Sequence, residues 1–387
     1  MKTISRRAPR LGSQKGGVAL LFLVLAAGLI QANENLDWPV FRGNLLQTGE
    51  ARSELPDTLK VRWTFKTQAA GKPDGAVDST AVIADGVVYI GAYDKALYAL
   101  DLKTGKEKWR YPAGPIKTAA GVKNGSVFVG DEDGVLHCID AKTGKQKWTF
   151  KTEGGAEITS GIGFAEDSVL FGCVNETLYC LSQKDGKKRW EYKVPGGPVN
   201  ATPAVSGGAT FVAGCDNTLH VIDIKTGKEI KAVELPTQVG STAAVEGDMV
   251  YVGTMGADVV AVNWKKGEIV WTGKSDKGRQ QFFAAVAVSG DKVFAASRDR
   301  RVYAFDKKTG KTIWSFQTKK QIDSSPVIAG KRLYIGSPEG KLYVLDRDTG
   351  KEVAALELDG GISTASPAVA GKNLVIGTEQ GTIYCLG

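Results

Sequence analysis

From Leu59 onward the chain alternates short apolar runs with turn residues, and within each run the period is two. Val87-Val88-Tyr89-Ile90-Gly91 is followed by a turn at Asp94 and then by Leu97-Tyr98-Ala99-Leu100-Asp101. Leu333-Tyr334-Ile335-Gly336, a Pro-Glu-Gly turn and Leu342-Tyr343-Val344-Leu345-Asp346 repeat that arrangement. β-branched and aromatic residues bounded by Gly and Asp turns mark hairpins. A strand of small residues opens each unit, as in Ser79-Thr80-Ala81-Val82 and Ser324-Ser325-Pro326-Val327. Small side chains fit where several strands crowd around an axis. The pattern predicts four strands per unit and no helix of any length.

The units are copies of one another. Ala99-x-Asp101-x-x-Thr104-Gly105-Lys106-x-x-Trp109 recurs from Cys138 to Trp148 and from Ala304 to Trp314, with weaker copies ending at Trp190 and Trp271. Two further copies, Asp223 to Lys231 and Asp346 to Ala354, keep the Asp and Thr-Gly-Lys but lose the Trp. The turn glycines Gly105, Gly144, Gly186, Gly227, Gly267, Gly310 and Gly350 are 39, 42, 41, 40, 43 and 40 residues apart, the spacing of propeller blades. The last unit stops at Gly387 without its fourth strand, and a spare strand carrying Trp63 stands at the other end. The expected fold is therefore all-β: an eight-bladed β-propeller of four-stranded blades, closed by an N-terminal strand that completes the last blade. Closure removes the edge that an open array would expose.

The in-register motif resembles the tryptophan-docking repeat of the pyrroloquinoline quinone (PQQ) repeat family, over residues 59–387. The resemblance implies that Trp63, Trp109, Trp148, Trp190, Trp271 and Trp314 each stack between a small residue of their own motif and a turn glycine of a neighbouring blade. It also implies two kinds of relative. Quinoprotein dehydrogenases hold PQQ and Ca²⁺ in the axial funnel, whereas non-catalytic propellers include the lipoprotein of the outer-membrane β-barrel assembly machinery. The segment Asp37-Trp38-Pro39-Val40-Phe41-Arg42-Gly43 also looks like the start of secreted PQQ-repeat proteins.

Composition changes the picture in a few places. Of the net charge of +8, five positive charges lie in residues 1–32 with no acid, which leaves +3 on the rest and no global case for nucleic acid. That basic segment leads into 13 apolar residues, Val18 to Ile30, and then to Ala32. A span needs about 20 apolar residues, so the order reads as a secretory signal. The expected division is a signal peptide at 1–32, a lead segment at 33–58 and the propeller at 59–387, with a periplasmic or secreted location and no transmembrane span in the mature chain. No cysteine near Ala32 could carry a lipid anchor. The five cysteines, Cys138, Cys173, Cys180, Cys215 and Cys385, form no CxxC and stand where sister repeats have small residues. They are expected to be core residues. Two histidines, His137 and His220, are too few for a histidine-rich metal site.

Candidate chemistry lies at the heads of the inner strands, where an axial ligand would meet the protein. Asp78, Asn200 and Asp323 could supply oxygens to a cation and Lys117 could pair an anion, while Ile158 and Phe283 interrupt the set. No metal site and no catalytic residue is assigned. Asp131-Glu132-Asp133-Gly134 and Arg298-Asp299-Arg300-Arg301 occupy hairpin turns. The quinoprotein enzymes carry adjacent cysteines over the quinone, funnel insertions and, in several cases, a CxxCH haem domain, none of which occurs in this sequence. The expectation is a non-catalytic, monomeric scaffold that binds an envelope protein and has no cofactor. The alternative is a PQQ- and Ca²⁺-dependent alcohol or aldose dehydrogenase. Trp38, outside the repeat, is expected to contribute less to stability than the repeat tryptophans.

Overall fold

The Gly- and Asp-bounded runs form strands throughout. The computed structural model describes residues 1–3, 37–72, 75–275 and 280–387. Apart from the first three residues, the segment read as a signal lies outside the described residues. Those residues hold 32 strands in eight antiparallel sheets of four. The first blade is β2 (Val82–Ala84), β3 (Val87–Ala92), β4 (Ala96–Asp101) and β5 (Glu107–Pro112), in that order from axis to rim. The last blade is β30 (Ala368–Ala370), β31 (Asn373–Gly377), β32 (Thr382–Leu386) and, on its outside, β1 (Val61–Lys66). β1 runs antiparallel to β32, with Trp63 opposite Cys385 and Lys66 opposite Thr382. The N-terminal strand thus closes the ring, as the spare Trp63 strand implies.

The repeat motif is a self-capping turn. Asp101 Oδ1 accepts hydrogen bonds from the Thr104 N–H at 2.9 Å and the Thr104 hydroxyl at 2.8 Å. Asp140, Asp223, Asp306 and Asp346 repeat both bonds with Thr143, Thr226, Thr309 and Thr349. The glycine that follows has φ near +70° and receives a neighbouring tryptophan. A Cβ on Gly105 would come within 2.6 Å of the Trp63 ring, and one on Gly144 within 2.8 Å of Trp109.

Each docking tryptophan also donates its indole N–H to a carbonyl of the next blade's turn, at 2.7–3.1 Å for Trp63, Trp109, Trp148, Trp190, Trp271 and Trp314. Trp63, Trp271 and Trp314 are buried, and the other three are half-buried. Cys138, Cys180 and Cys385 are the ladder partners of Trp148, Trp190 and Trp63. All five cysteines are free, and four are buried. Burial pushes the thiols of Cys138, Cys173 and Cys180 up to about 11, so these are core residues rather than reactive thiols.

The two blades without a tryptophan solve the same problem differently. In blade four Lys231 takes the position opposite Val221. Its stem lies over Gly267, with Cδ 3.0 Å from a built Cβ, and its Nζ donates to the Lys265 carbonyl at 2.7 Å. An apolar stem with a donor at its tip thus substitutes for an indole. In blade seven Ala354 takes the position, because the next blade has no Thr-Gly turn there but the junction between Gly387 and β1. Nearer the axis, lead-segment residues bridge the same two blades: Ala51 donates to the Ile328 carbonyl at 2.7 Å and the Ser53 hydroxyl to the Gly371 carbonyl at 2.8 Å.

The lead segment is part of the fold. Trp38 exchanges two backbone bonds with Ile83, and the carbonyls of Pro39, Leu45, Leu46, Thr48 and Gly49 accept from Val122, Val205, Val245, Val288 and Ile328. These contacts reach the inner strands of six blades, and the Ser53 bond reaches the first turn of blade eight. The segment therefore circles the axis and plugs one end of the channel. Arg42 is sealed inside, where its Nη2 donates to the carbonyls of Val286 at 3.2 Å and Pro326 at 2.5 Å. Burial without an acidic partner brings the guanidinium down to about 9.

The expectation that Trp38 matters less than the repeat tryptophans is revised, because it is 1% exposed whereas Trp314 is 9% exposed. Trp38→Ala should cost at least as much as Trp314→Ala, about 3–5 kcal/mol for each large-to-small change, measured by urea unfolding. Equal midpoints for Trp38→Ala and the parent would remove the plug from the folded core.

Candidate functional site

Inner strands run away from the face that carries the hairpin turns between second and third strands, such as Tyr93–Lys95, and end at the plug. On the turn-bearing face the axis holds a cavity of about 400 Å³, floored by Phe41 of the plug. Asp78, Lys117, Asn200 and Asp323 all line it, as does Phe283. The structure thus brings the four sequence candidates into one cavity. Ile158 does not belong to that wall: it is buried against Gly130, and Thr159 faces the cavity in its place.

Hydroxyls stitch the wall together. The backbone N–H of Gly161 donates to Thr202 Oγ1, that of Thr202 to Thr242 Oγ1, that of Ala285 to Ser325 Oγ, that of Ser325 to Ser366 Oγ and that of Ser366 to Thr80 Oγ1, at 2.9–3.1 Å. Five of the eight blade junctions carry this bond. At the other three the acceptor position is Ala119, Gly161 or Ala285, so the N–H groups of Thr80, Ala119 and Thr242 meet no hydroxyl. This hydroxyl relay escaped the sequence reading, although its signal, Ser or Thr at one register position in five blades, is legible once the register is known.

The charged groups differ in their commitments. Lys117 Nζ is 3.0 Å from Glu132 and 3.5 Å from Glu157. Arg298 grips Asp323 with two bonds of 2.8 Å and lies 4.5 Å above the Phe283 ring. The basic turn at 298–301 therefore contributes its first arginine to the cavity rim. Asp78 has no cationic partner, and its Oδ1 is buried without a hydrogen bond. Burial first, and the Glu379 carboxylate second, push its carboxyl above the usual range.

The two histidines are structural. His137 Nε2 is 2.8 Å from Asp131 and its Nδ1 is 3.0 Å from the Tyr111 hydroxyl. His220 stands between Asp216 and Glu229, at 2.8 Å from each. Both occupy the strand position where Tyr98, Tyr303 and Tyr343 donate to a carboxylate of their own hairpin turn. Asp131 is likewise the anchor of its turn. Although burial opposes it, bonds from His137 and from the N–H groups of Val135 and Gly114 hold its carboxyl below the usual range.

A family described as outer membrane protein assembly factor BamB matches residues 55–159, 151–230 and 228–387. The chain belongs to this family. Among solved structures, BamB from Moraxella catarrhalis aligns with a TM-score of 0.72 at 17% identity, over 85% of this chain and 97% of that one. The quinohemoprotein alcohol dehydrogenase from Comamonas testosteroni aligns with a TM-score of 0.78 at 14% identity, over 91% of this chain and 80% of that one. At such identities the likeness is one of fold. A lupanine 17-hydroxylase [cytochrome c] from a Pseudomonas species is 40% identical over 107 residues, which is 24% of this chain and only 14% of the relative.

These relatives correct the expectation that the chain has no cofactor. The same ring is the frame of a quinohemoprotein enzyme, and a cytochrome c-linked hydroxylase shares part of the sequence, so the ring gives no ground for that exclusion. At the wall, Lys117 and Arg298 are each held by carboxylates.

The direction of the Asp78 shift gives a test. A carboxyl raised in the fold contributes stability that is fully present below its unfolded value and lost as pH rises through its folded value. Asp78→Asn removes that loss. The variant should melt above the parent at pH 7, and the difference should close as pH falls below about 4. A lower melting temperature at pH 7, measured calorimetrically, would contradict this account of the carboxylate.

Proposed function

We propose that the protein is a non-catalytic, monomeric β-propeller of the cell envelope that serves as a protein-binding scaffold. In this reading residues 1–32 are an export signal that delivers the chain to the periplasm, 33–58 the lead segment and 59–387 the propeller. The family's description as outer-membrane assembly factors supports it. The observation that carries it lies on the rim.

Each outer strand has one unpaired bulge residue just ahead of its docking position. In blades eight, one, two and three these are Arg62, Lys108, Lys147 and Arg189. In blades four to seven they are Ile230, Val270, Ile313 and Val353. The four aliphatic residues are 51%, 48%, 44% and 42% exposed. Charged residues at bulges guard a sheet edge against pairing with another chain. Four consecutive blades lack that guard and show β-branched aliphatics instead, as a partner-binding arc would.

Ile313→Lys with Val353→Lys restores the guarded pattern without touching the core. The variant should keep the parent's melting temperature and lose the envelope protein that the parent captures, while Lys147→Ala keeps it. Undiminished capture by the double variant would overturn the rim as the docking surface. Turnover of a primary alcohol with PQQ, Ca²⁺ and an electron acceptor would overturn the non-catalytic role.

A further inference from the structure

The axial cavity carries an inference independent of the rim. Its volume of about 400 Å³ is within the range of small-molecule sites. Phe41 and the plug close its floor, so whatever enters does so from the turn-bearing face. Most of the wall is occupied with holding the ring together: five hydroxyls serve the interblade relay, Lys117 is held by two glutamates, and Asp323 is held by Arg298.

A few polar groups are left over. Asp78 is a carboxylate with no cation beside it and one buried oxygen without a hydrogen bond. Such an acceptor is costly to leave unmade. Three blades away, the Asn200 amide makes no hydrogen bond among the described residues. Between them are the N–H groups of Thr80 and Ala119, which face Ala119 and Gly161 where other blades offer a hydroxyl. One side of the cavity therefore seeks a positively charged donor, and the neighbouring wall offers N–H donors to oxygen.

We propose that this cavity binds a small primary ammonium compound rich in hydroxyl oxygens, of the amino-sugar class, with the ammonium on Asp78. An ammonium brings three donors and the missing positive charge. Its oxygens meet the free N–H groups of Thr80 and Ala119 and the Asn200 amide, and the Phe283 ring gives an apolar face for the carbon skeleton. Burial and the adjacent Glu379, which raise the Asp78 carboxyl, are offset when a cation settles there.

The test is calorimetric titration of the full chain at pH 7.5 with glucosamine, ethanolamine, glucose and CaCl₂. Saturable binding of glucosamine is expected, with glucose at least tenfold weaker. Asp78→Asn should weaken glucosamine at least tenfold while retaining a folded melting transition. Glu357→Gln, on the rim, should leave affinity unchanged. Glucosamine affinity should also fall as pH drops through the titration of Asp78. Absence of saturable binding by both amines, equal binding of glucose, unchanged affinity in Asp78→Asn, or displacement of glucosamine by stoichiometric Ca²⁺ would each overturn the proposal. None of these outcomes depends on envelope-protein capture, so this site and the rim fail or stand separately.

Discussion

The ring depends on one contact made seven times: a long side chain from one blade laid on the turn of the next. The glycine must have a positive φ to make the turn, and it must lack a Cβ because the ring sits where that Cβ would be. One residue thus answers a backbone demand and a packing demand together. The indole N–H adds direction, since its bond to the turn carbonyl fixes how far each blade rotates against its neighbour. Lys231 shows which parts of the contact are essential: an apolar stem over the glycine and a donor at the tip suffice.

That lattice leaves the eighth junction unfilled, because in blade eight β32 and β1 meet at Gly387 and Lys60 without an Asp-Thr-Gly turn. Ala354 has no turn to dock on, and β1 must arrive from the other end of the sequence. Closure by β1 supplies the missing strand but not the missing dock. The lead segment instead ties the two blades together near the axis, running from blade seven to blade eight through Ala51 and Ser53 after satisfying inner-strand groups around most of the axis. Plug and closing strand are consecutive in sequence, so residues 37–66 both seal the channel and lock the ring. The buried, unpaired guanidinium of Arg42 in that plug is an energetic cost of the arrangement, borne by two carbonyls at the channel centre.

The ring was legible in the sequence because its determinants are local and repeated. Asp, Thr, Gly and Trp recur at fixed offsets, and each reports a contact with the same residue type one blade on. The inner-strand heads were legible for the same reason. Ile158 misled because it is the apolar residue just before the head, packed on Gly130 as Ile116 is on Gly91 and Val199 on Gly172. The plug was not legible: its bonds are backbone bonds to strands far away in sequence, and Trp38 and Arg42 belong to no repeat. The rim division was hidden as well. A bulge residue is invisible until the ladder shows which position has no partner, and only then do Lys147 and Ile313 become comparable.

A repeat lattice also explains where variation can accumulate without loss of the fold. Docking positions, turn glycines and the relay hydroxyls each answer to a neighbour, so a change at any of them is felt at a junction. Bulge residues and strand heads have no ladder or docking partner to satisfy, since the former stand outside the ladder and the latter face the axial cavity. The chain uses both kinds of freedom unevenly. Its bulges switch from cationic to aliphatic over four consecutive blades, and its heads place one carboxylate, Asp78, without a counter-charge. Neither departure helps the ring: exposed Ile and Val weaken edge protection, and a half-buried carboxylate lowers stability at neutral pH. Departures that a fold does not need, at positions it does not constrain, are where binding is to be sought.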